Sequence, residues 1–310
     1  MLLHVVHETT YTYASPVKTA QHLAHLRPSD RFGQRVLRHD LRVQPEPAQR
    51  SDAVDVFGNA TCFFGLQSAH ERLQVVADSV VATVAPTIPT DSMPWEDARE
   101  RLRYHRGAVY DPASEFLFAS AYVPRHQHFV NYARASFLPQ RPLLEAARDL
   151  TARIHADFAY VSQATDASTP ALESLALRKG VCQDFAHVML GCLRSLGLPA
   201  RYVSGYLLTE PAAGVARLVG SDASHAWVSV YLPAEHGPGV WADLDPTNDR
   251  APGEDYVTVA IGRDYADVSP IRGVIHGGAR HRLRVAVTVA PLPEGEAAPT
   301  IADPNDKEPA

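Results

Sequence analysis

Apolar residues in this chain recur at every second position near its start, every third or fourth in its middle, and every second again further on. That change of period leaves few architectures open. In 2–13, Leu3, Val5, His7, Thr9, Tyr11 and Tyr13 alternate with Val6, Glu8, Thr10 and Thr12, and β-branched and aromatic side chains dominate. The segments 35–43, 61–66 and 72–84 read the same way, with a turn signal over Asp55–Ala60. Short strands at this spacing predict an N-terminal β-sandwich over 1–86. Pro86, Pro89 and Pro94 then mark a break, and 87–142 reads as a linker and mixed segment with short helices at 114–121 and 127–135.

From 143 the period is helical. Leu143, Ala147, Leu150 and Ile154 share one face, and Pro170 opens a second short helix over 170–178. Phe185, Val188, Met189, Cys192, Leu193 and Leu196 form the strongest stripe, which Gly197 ends. Strands are expected over 200–208, 226–232, 240–244, 256–261 and 282–289. Helices followed by a run of strands predict an α+β unit over 143–290. Residues 291–310, rich in Pro, Ala, Glu and Asp, read as a disordered tail.

Composition narrows the function. With 29 Lys and Arg against 35 Asp and Glu in 310 residues, no basic field exists to draw in nucleic acid or an anionic membrane. No apolar run approaches a membrane span, and the N-terminus lacks the basic leader and apolar core of a signal peptide. Cys62, Cys182 and Cys192 are odd in number and widely spaced, so neither a disulfide framework nor a paired-cysteine metal site is expected. Free thiols fit a reducing cytoplasm. No cofactor motif, calcium loop of the DxDxDG type or zinc spacing is present.

Three local features carry chemistry. In Gly180-Val181-Cys182-Gln183 a cysteine stands at a predicted helix start, where free amides and the helix dipole favour a thiolate and can hold an oxyanion. In Ser224-His225-Ala226-Trp227 a histidine opens a strand, and histidine is the side chain suited to moving a proton near neutral pH. In Asp243-Leu244-Asp245-Pro246 a strand ends in a carboxylate able to orient a histidine on the neighbouring strand. Each alone reads equally as a small core residue, a structural imidazole or a turn-capping aspartate. Their order along one α+β unit points to a Cys–His–Asp triad.

These residues fall in GVCQDFAH (180–187), GLPARYVSGYL (197–207), SHAWVSVYLP (224–233), ADLDPTN (242–248) and IGRDYADVSPIRGV (261–274). With them the chain resembles the bacterial transglutaminase-like proteins, also described as candidate cysteine proteases. YTYASPV (11–17) and DVFGNATCFF (55–64) look like that family's N-terminal β region. The resemblance implies a papain-like transglutaminase core, with Cys182 as nucleophile, His225 as general base and then acid, and Asp245, rather than Asp243, as orienting carboxylate. It implies amide acyl transfer through a thioester. The substrate would be a protein or peptide with a glutamine or other amide, and the acceptor a primary amine or water. A purely hydrolytic peptidase or amidase and a non-catalytic protein-binding module are the alternatives. Members often carry Arg where this chain has Gln183. Asp184, His187 and Trp227 are further cleft candidates, as are Arg263, Asp264, Tyr265 and Asp267, whose segment lies near the family's active site.

Overall fold

The computed structural model describes residues 1–31, 33–87, 90–103, 105–106, 110–162, 164–209 and 224–293. The N-terminal strands are β1 (Leu2–Ala24), β2 (Gln34–Gln44), β3 (Gln49–Val54), β4 (Ala60–Leu66) and β5 (His70–Thr83). Next come α1 (Trp95–Arg101), a 3₁₀ turn (Pro112–Leu117), α2 (Gln127–Ala133) and α3 (Leu143–Asp157). Then follow β6 (Ala159–Tyr160), α4 (Ala171–Leu177), β7 (Lys179–Gly180), α5 (Cys182–Ser195), β8 (Ala200–Leu207), β9 (Ser224–Leu232), β10 (Val240–Leu244) and β11 (Tyr256–Gly262). The chain ends its described part with α6 (Tyr265–Val268), β12 (Ile271–Gly277) and β13 (His281–Pro291).

The class is α+β, with a β-rich N-terminal region. That region is one curled antiparallel sheet rather than the two stacked sheets expected over 1–86. Its spine is β1, far longer than the strand predicted for 2–13. The first half of β1 pairs with β5 and β13, and the second half with β4 and β12. Register breaks between Thr12 and Val17 let the strand bend. The concave side closes on Tyr13, Val17, Leu41, Phe64, Leu73 and Val75, so one bent sheet does the work of two layers. Residues 271–291 return to this sheet, whereas 143–290 was expected as one unit. Of the expected tail, Pro291 ends β13, and 294–310 lie outside the described residues.

The second sheet has the order β10-β9-β8-β11 and is antiparallel throughout. The α5 helix lies against it with Phe185, Val188, Met189, Cys192 and Leu193 all buried, as its stripe predicts. Burying a side chain of this size contributes about 1.5–3 kcal/mol, so α5 anchors the core that α2, α3 and α4 complete. The outer edge of β11 is covered from the N-terminal region. The amide of Gln34 bonds both Thr258 backbone groups, and that of Asn59 bonds both Ile261 groups. These two side chains replace a missing neighbour strand. His7 of β1 bonds the Tyr206 hydroxyl of β8 at 2.9 Å, a second tie between the sheets.

Candidate active site

The start of α5 is built around Asp184. Val181, the residue before the helix, has no side-chain acceptor, so the helix is capped from inside. Asp184 Oδ2 accepts the Val181 N–H at 2.8 Å and the Thr165 hydroxyl at 2.6 Å, and Oδ1 accepts the Ser174 hydroxyl at 2.7 Å. The carboxylate folds back over Gly180, where an added Cβ would lie 2.4 Å from Oδ2, so position 180 has no room for a side chain. This arrangement presents Cys182 at the first helical position, partly exposed, with the first-turn amides of Cys182 and Gln183 beside it. Gln183 turns away and donates to the Ala167 carbonyl at 3.0 Å. The position where relatives often carry Arg therefore ties a loop and puts no charge beside the sulfur.

His225 lies near the start of β9, opposite Gly205 of β8. A Cβ at Gly205 would sit 2.5 Å from the Trp227 ring, so the glycine makes way for the indole that packs beside the imidazole. The pairing of β9 with β10 brings Asp245 to the histidine, whose Nε2 lies 2.7 Å from Oδ2. Asn248 Nδ2 also lies 3.3 Å from Nε2, and Cys182 is close enough to help raise the ring's pKa. With Nε2 taken by the carboxylate, Nδ1 is the nitrogen left for the thiol. The sulfur also lies 4.0 Å from the Ser224 carbonyl oxygen.

Asp245 is wholly buried. It accepts from His225, from the Tyr256 hydroxyl at 2.7 Å, from Asn248 Nδ2 at 2.7 Å, and from the Thr247 N–H at 2.8 Å. Burial alone would raise its pKa; the hydrogen bond and charge of His225, with Asn248 and Tyr256, outweigh that and hold it below the usual carboxylate range. His225 shows the reverse balance. Burial favours the neutral ring, but the hydrogen bonds to Asp245 and Cys182 and their charges push its pKa up to about 10. The geometry and electrostatics favour an imidazolium held between a carboxylate and a sulfur. Asp243 belongs to another set, bonded to Ser229 and 3.6 Å from Arg31.

The other expected cleft residues have different places. Asp184 is the cap just described. His187 is fully buried and accepts the Tyr265 N–H at 3.2 Å. It packs between Tyr122 and Tyr202, and burial lowers its pKa to about 4. Trp227 is core, edge-on to Tyr256. Arg263 pairs with Asp267 at 2.9 Å, and Asp264 caps α6 and accepts the Tyr122 N–H. This last cluster ties α6 to α5, and no hydrogen bond from it to His225 or Asp245 exists among the described residues. Sequence reading missed Tyr256 and Asn248 as partners of the carboxylate. Asn248 stood within the quoted ADLDPTN segment, whereas Tyr256 gave no local signal. No group of three or more His, Cys, Asp or Glu suited to a metal occurs among the described residues.

Residues 3–82 match the family described as the bacterial transglutaminase-like N-terminal region, and residues 130–246 match the transglutaminase-like superfamily. An uncharacterized protein of Mycobacterium tuberculosis strain H37Rv is 41% identical over 299 residues, covering 94% of this chain and 93% of that one. Another from Mycobacterium leprae is 34% identical over 294 residues, covering 94% and 99%. The chain belongs to the bacterial transglutaminase-like family, with the N-terminal region and the core in the same order.

Among solved structures, a Cytophaga hutchinsonii protein named "Putative Cysteine Protease" superposes with a TM-score of 0.70 at 22% identity, over 98% of this chain and 95% of that one. That likeness shows the fold. A protein-glutamine gamma-glutamyltransferase of Pseudomonas aeruginosa is 42% identical over 76 residues, which cover 24% of this chain and 11% of that protein.

Proposed function

We propose that the protein is a cysteine-nucleophile enzyme that acts on carboxamides by acyl transfer, with Cys182, His225 and Asp245 as its triad. The carrying observation is the 2.7 Å contact of His225 with buried Asp245, with Cys182 at a helix start and its sulfur 4.0 Å from the carbonyl oxygen of Ser224, the residue before His225. The proton of the Cys182–His225 pair rests on the imidazole, and the sulfur attacks the amide carbon. The amides of Cys182 and Gln183, free in the first turn, are placed to receive the oxyanion. The intermediate collapses as His225 gives its proton to the departing nitrogen, leaving a thioester and free ammonia or amine. A primary amine or water then attacks, His225 takes its proton, and the thiol is restored with a new amide or an acid as product. Asp245 stays ionised throughout and holds the ring.

The glutamyltransferase name of the Pseudomonas relative supports a glutamine side chain as acyl donor. Three free cysteines suit a reducing setting, which supports a cytoplasmic location. The test is incubation with a glutamine-containing peptide library and a labelled primary amine, comparing wild type with Cys182→Ala. Labelled or hydrolysed product from the wild type alone supports the reading, and the ratio of the two separates transfer from hydrolysis. Equal product from the Cys182→Ala variant overturns it, and so does none from either, which leaves the binding-module alternative.

A further inference from the structure

The loop between α3 and α4 is mostly small and polar (VSQATDAST, 161–169), yet it begins with two exposed apolar side chains. Tyr160 is 57% exposed and Val161 41%. Neither is loose. Tyr160 pairs with Gly180 in the short parallel bridge of β6 with β7, and the Val161 N–H donates to the Gly180 carbonyl at 2.8 Å. The bridge fixes both residues alongside the chain that enters Cys182 two positions later. The Tyr160 ring meets Phe185 edge-on at 6.3 Å, and Phe185 is one turn beyond Cys182. The ring therefore stands over the first turn of α5, with one edge on the core and its remaining surface open. Burial first, and then the charge of Cys182, raise the Tyr160 hydroxyl's pKa, as expected of two groups sharing one cleft.

Two polar side chains near the ring are committed elsewhere. Thr165 donates to Asp184, and Gln183 donates to the Ala167 carbonyl. Among the described residues of this rim, Tyr160 and Val161 offer an incoming ligand an aromatic ring and an apolar side chain. Exposed apolar surface held rigid beside a nucleophile has a use when a substrate covers it.

We infer that Tyr160 and Val161 form the wall of the acyl-donor subsite and select substrates with an apolar or aromatic residue next to the reactive carboxamide. The inference rests on the acyl-transfer reading above and adds a substrate preference to it. Tyr160 acts here by binding and takes no part in proton transfer.

The test uses two glutamine peptides that differ only in the residue beside the glutamine, leucine in one and serine in the other. Steady-state kinetics are measured for wild type, Tyr160→Phe and Tyr160→Ala. The binding of both peptides to the same three proteins carrying Cys182→Ala is read by fluorescence anisotropy. Wild type is expected to favour the leucine peptide by about tenfold in kcat/KM, mostly through KM. Tyr160→Phe keeps that preference, and Tyr160→Ala brings the ratio towards one. Iodoacetamide labelling of Cys182 in each variant with the intact thiol reports whether the nucleophile has kept its setting. An unchanged leucine preference in Tyr160→Ala overturns the inference, as does failure of both peptides to bind. If no peptide is turned over but binding shows the Tyr160-dependent preference, the subsite stands and acyl transfer falls.

Discussion

Asp245 receives hydrogen bonds from four residues and is shut off from water, so its charge is fixed in place before any substrate arrives. Its work is done through His225, whose pKa of about 10 depends on that charge. Asp245→Asn removes the charge and leaves the shape. Its kcat/KM is expected to fall about 10²- to 10⁴-fold. The alkaline limb of the pH–rate profile, set by loss of the His225 proton near pH 10 in the wild type, should move to lower pH. A fall in rate with the limb unmoved would argue against this coupling. Tyr256→Phe takes away one hydrogen bond from the same carboxylate, and a smaller shift of the limb in the same direction is expected. The sequence marked Cys182, His225 and Asp245 because each sits at the end of a periodic segment, where a side chain is free to leave the core. Alternation gave Asp243 and Asp245 the same face and the choice of Asp245 rested on the family motif; in the structure their partners differ, Arg31 and Ser229 for one and His225 for the other.

The α5 helix is the element on which the nucleophile depends, and its first turn is set by Gly180 and Asp184 together. Asp184→Ala leaves the Val181 amide and two hydroxyls without their acceptor. A loss of about 2–4 kcal/mol in urea denaturation is expected, with slower alkylation of Cys182 as the first turn frays. Gly180→Ala forces the Asp184 carboxylate away from a Cβ that would lie 2.4 Å from it, at a cost of about 1–3 kcal/mol. If either variant unfolds at the wild-type urea midpoint, the cap is not what holds the helix start. The helix itself was plain in the sequence, since its stripe from Phe185 to Leu196 faces a single core. The short helices α1 and α6 and strands β3 and β12 were not. Every residue of β3 is exposed, and so is almost every residue of β12, so no buried face imposes alternation on them. They are strands because β4 and β1 supply hydrogen-bond partners.

At the scale of the whole molecule, the curled sheet and the unit that carries Cys182, His225 and Asp245 are joined by the return of the last strands to the first. Because β12 and β13 pair with β1 on the edges facing away from β4 and β5, a chain ending before Ile271 leaves the spine of the first sheet unpaired on one side. Such a truncation is expected to be insoluble or to lose its cooperative unfolding transition, whereas removal of 294–310 alone should leave that transition in place. Buried histidines on both sides of the molecule govern its pH dependence. Burial lowers His7, His22, His39 and His187 to about 4. Between pH 6.5 and 4 the unfolded chain therefore binds more protons than the folded one, and stability falls as pH drops through that range. His225 has the opposite sign. Its contribution is complete below pH 6.5 and is lost as pH rises towards about 10. A thermal midpoint highest near pH 6.5–7 and lower at pH 4.5 is expected; a midpoint flat across that acid range would count against neutral buried imidazoles. By itself the sequence determined the α+β class and the central helix and marked three residues as a candidate triad, because periodicity and chain breaks are local and leave their mark on neighbouring positions. Only the tertiary structure decided that one bent sheet takes the place of a sandwich, that the last strands return to the first, and that Tyr256 joins Asp245. Those facts depend on backbone pairing and close approach between distant segments, and no local period records them.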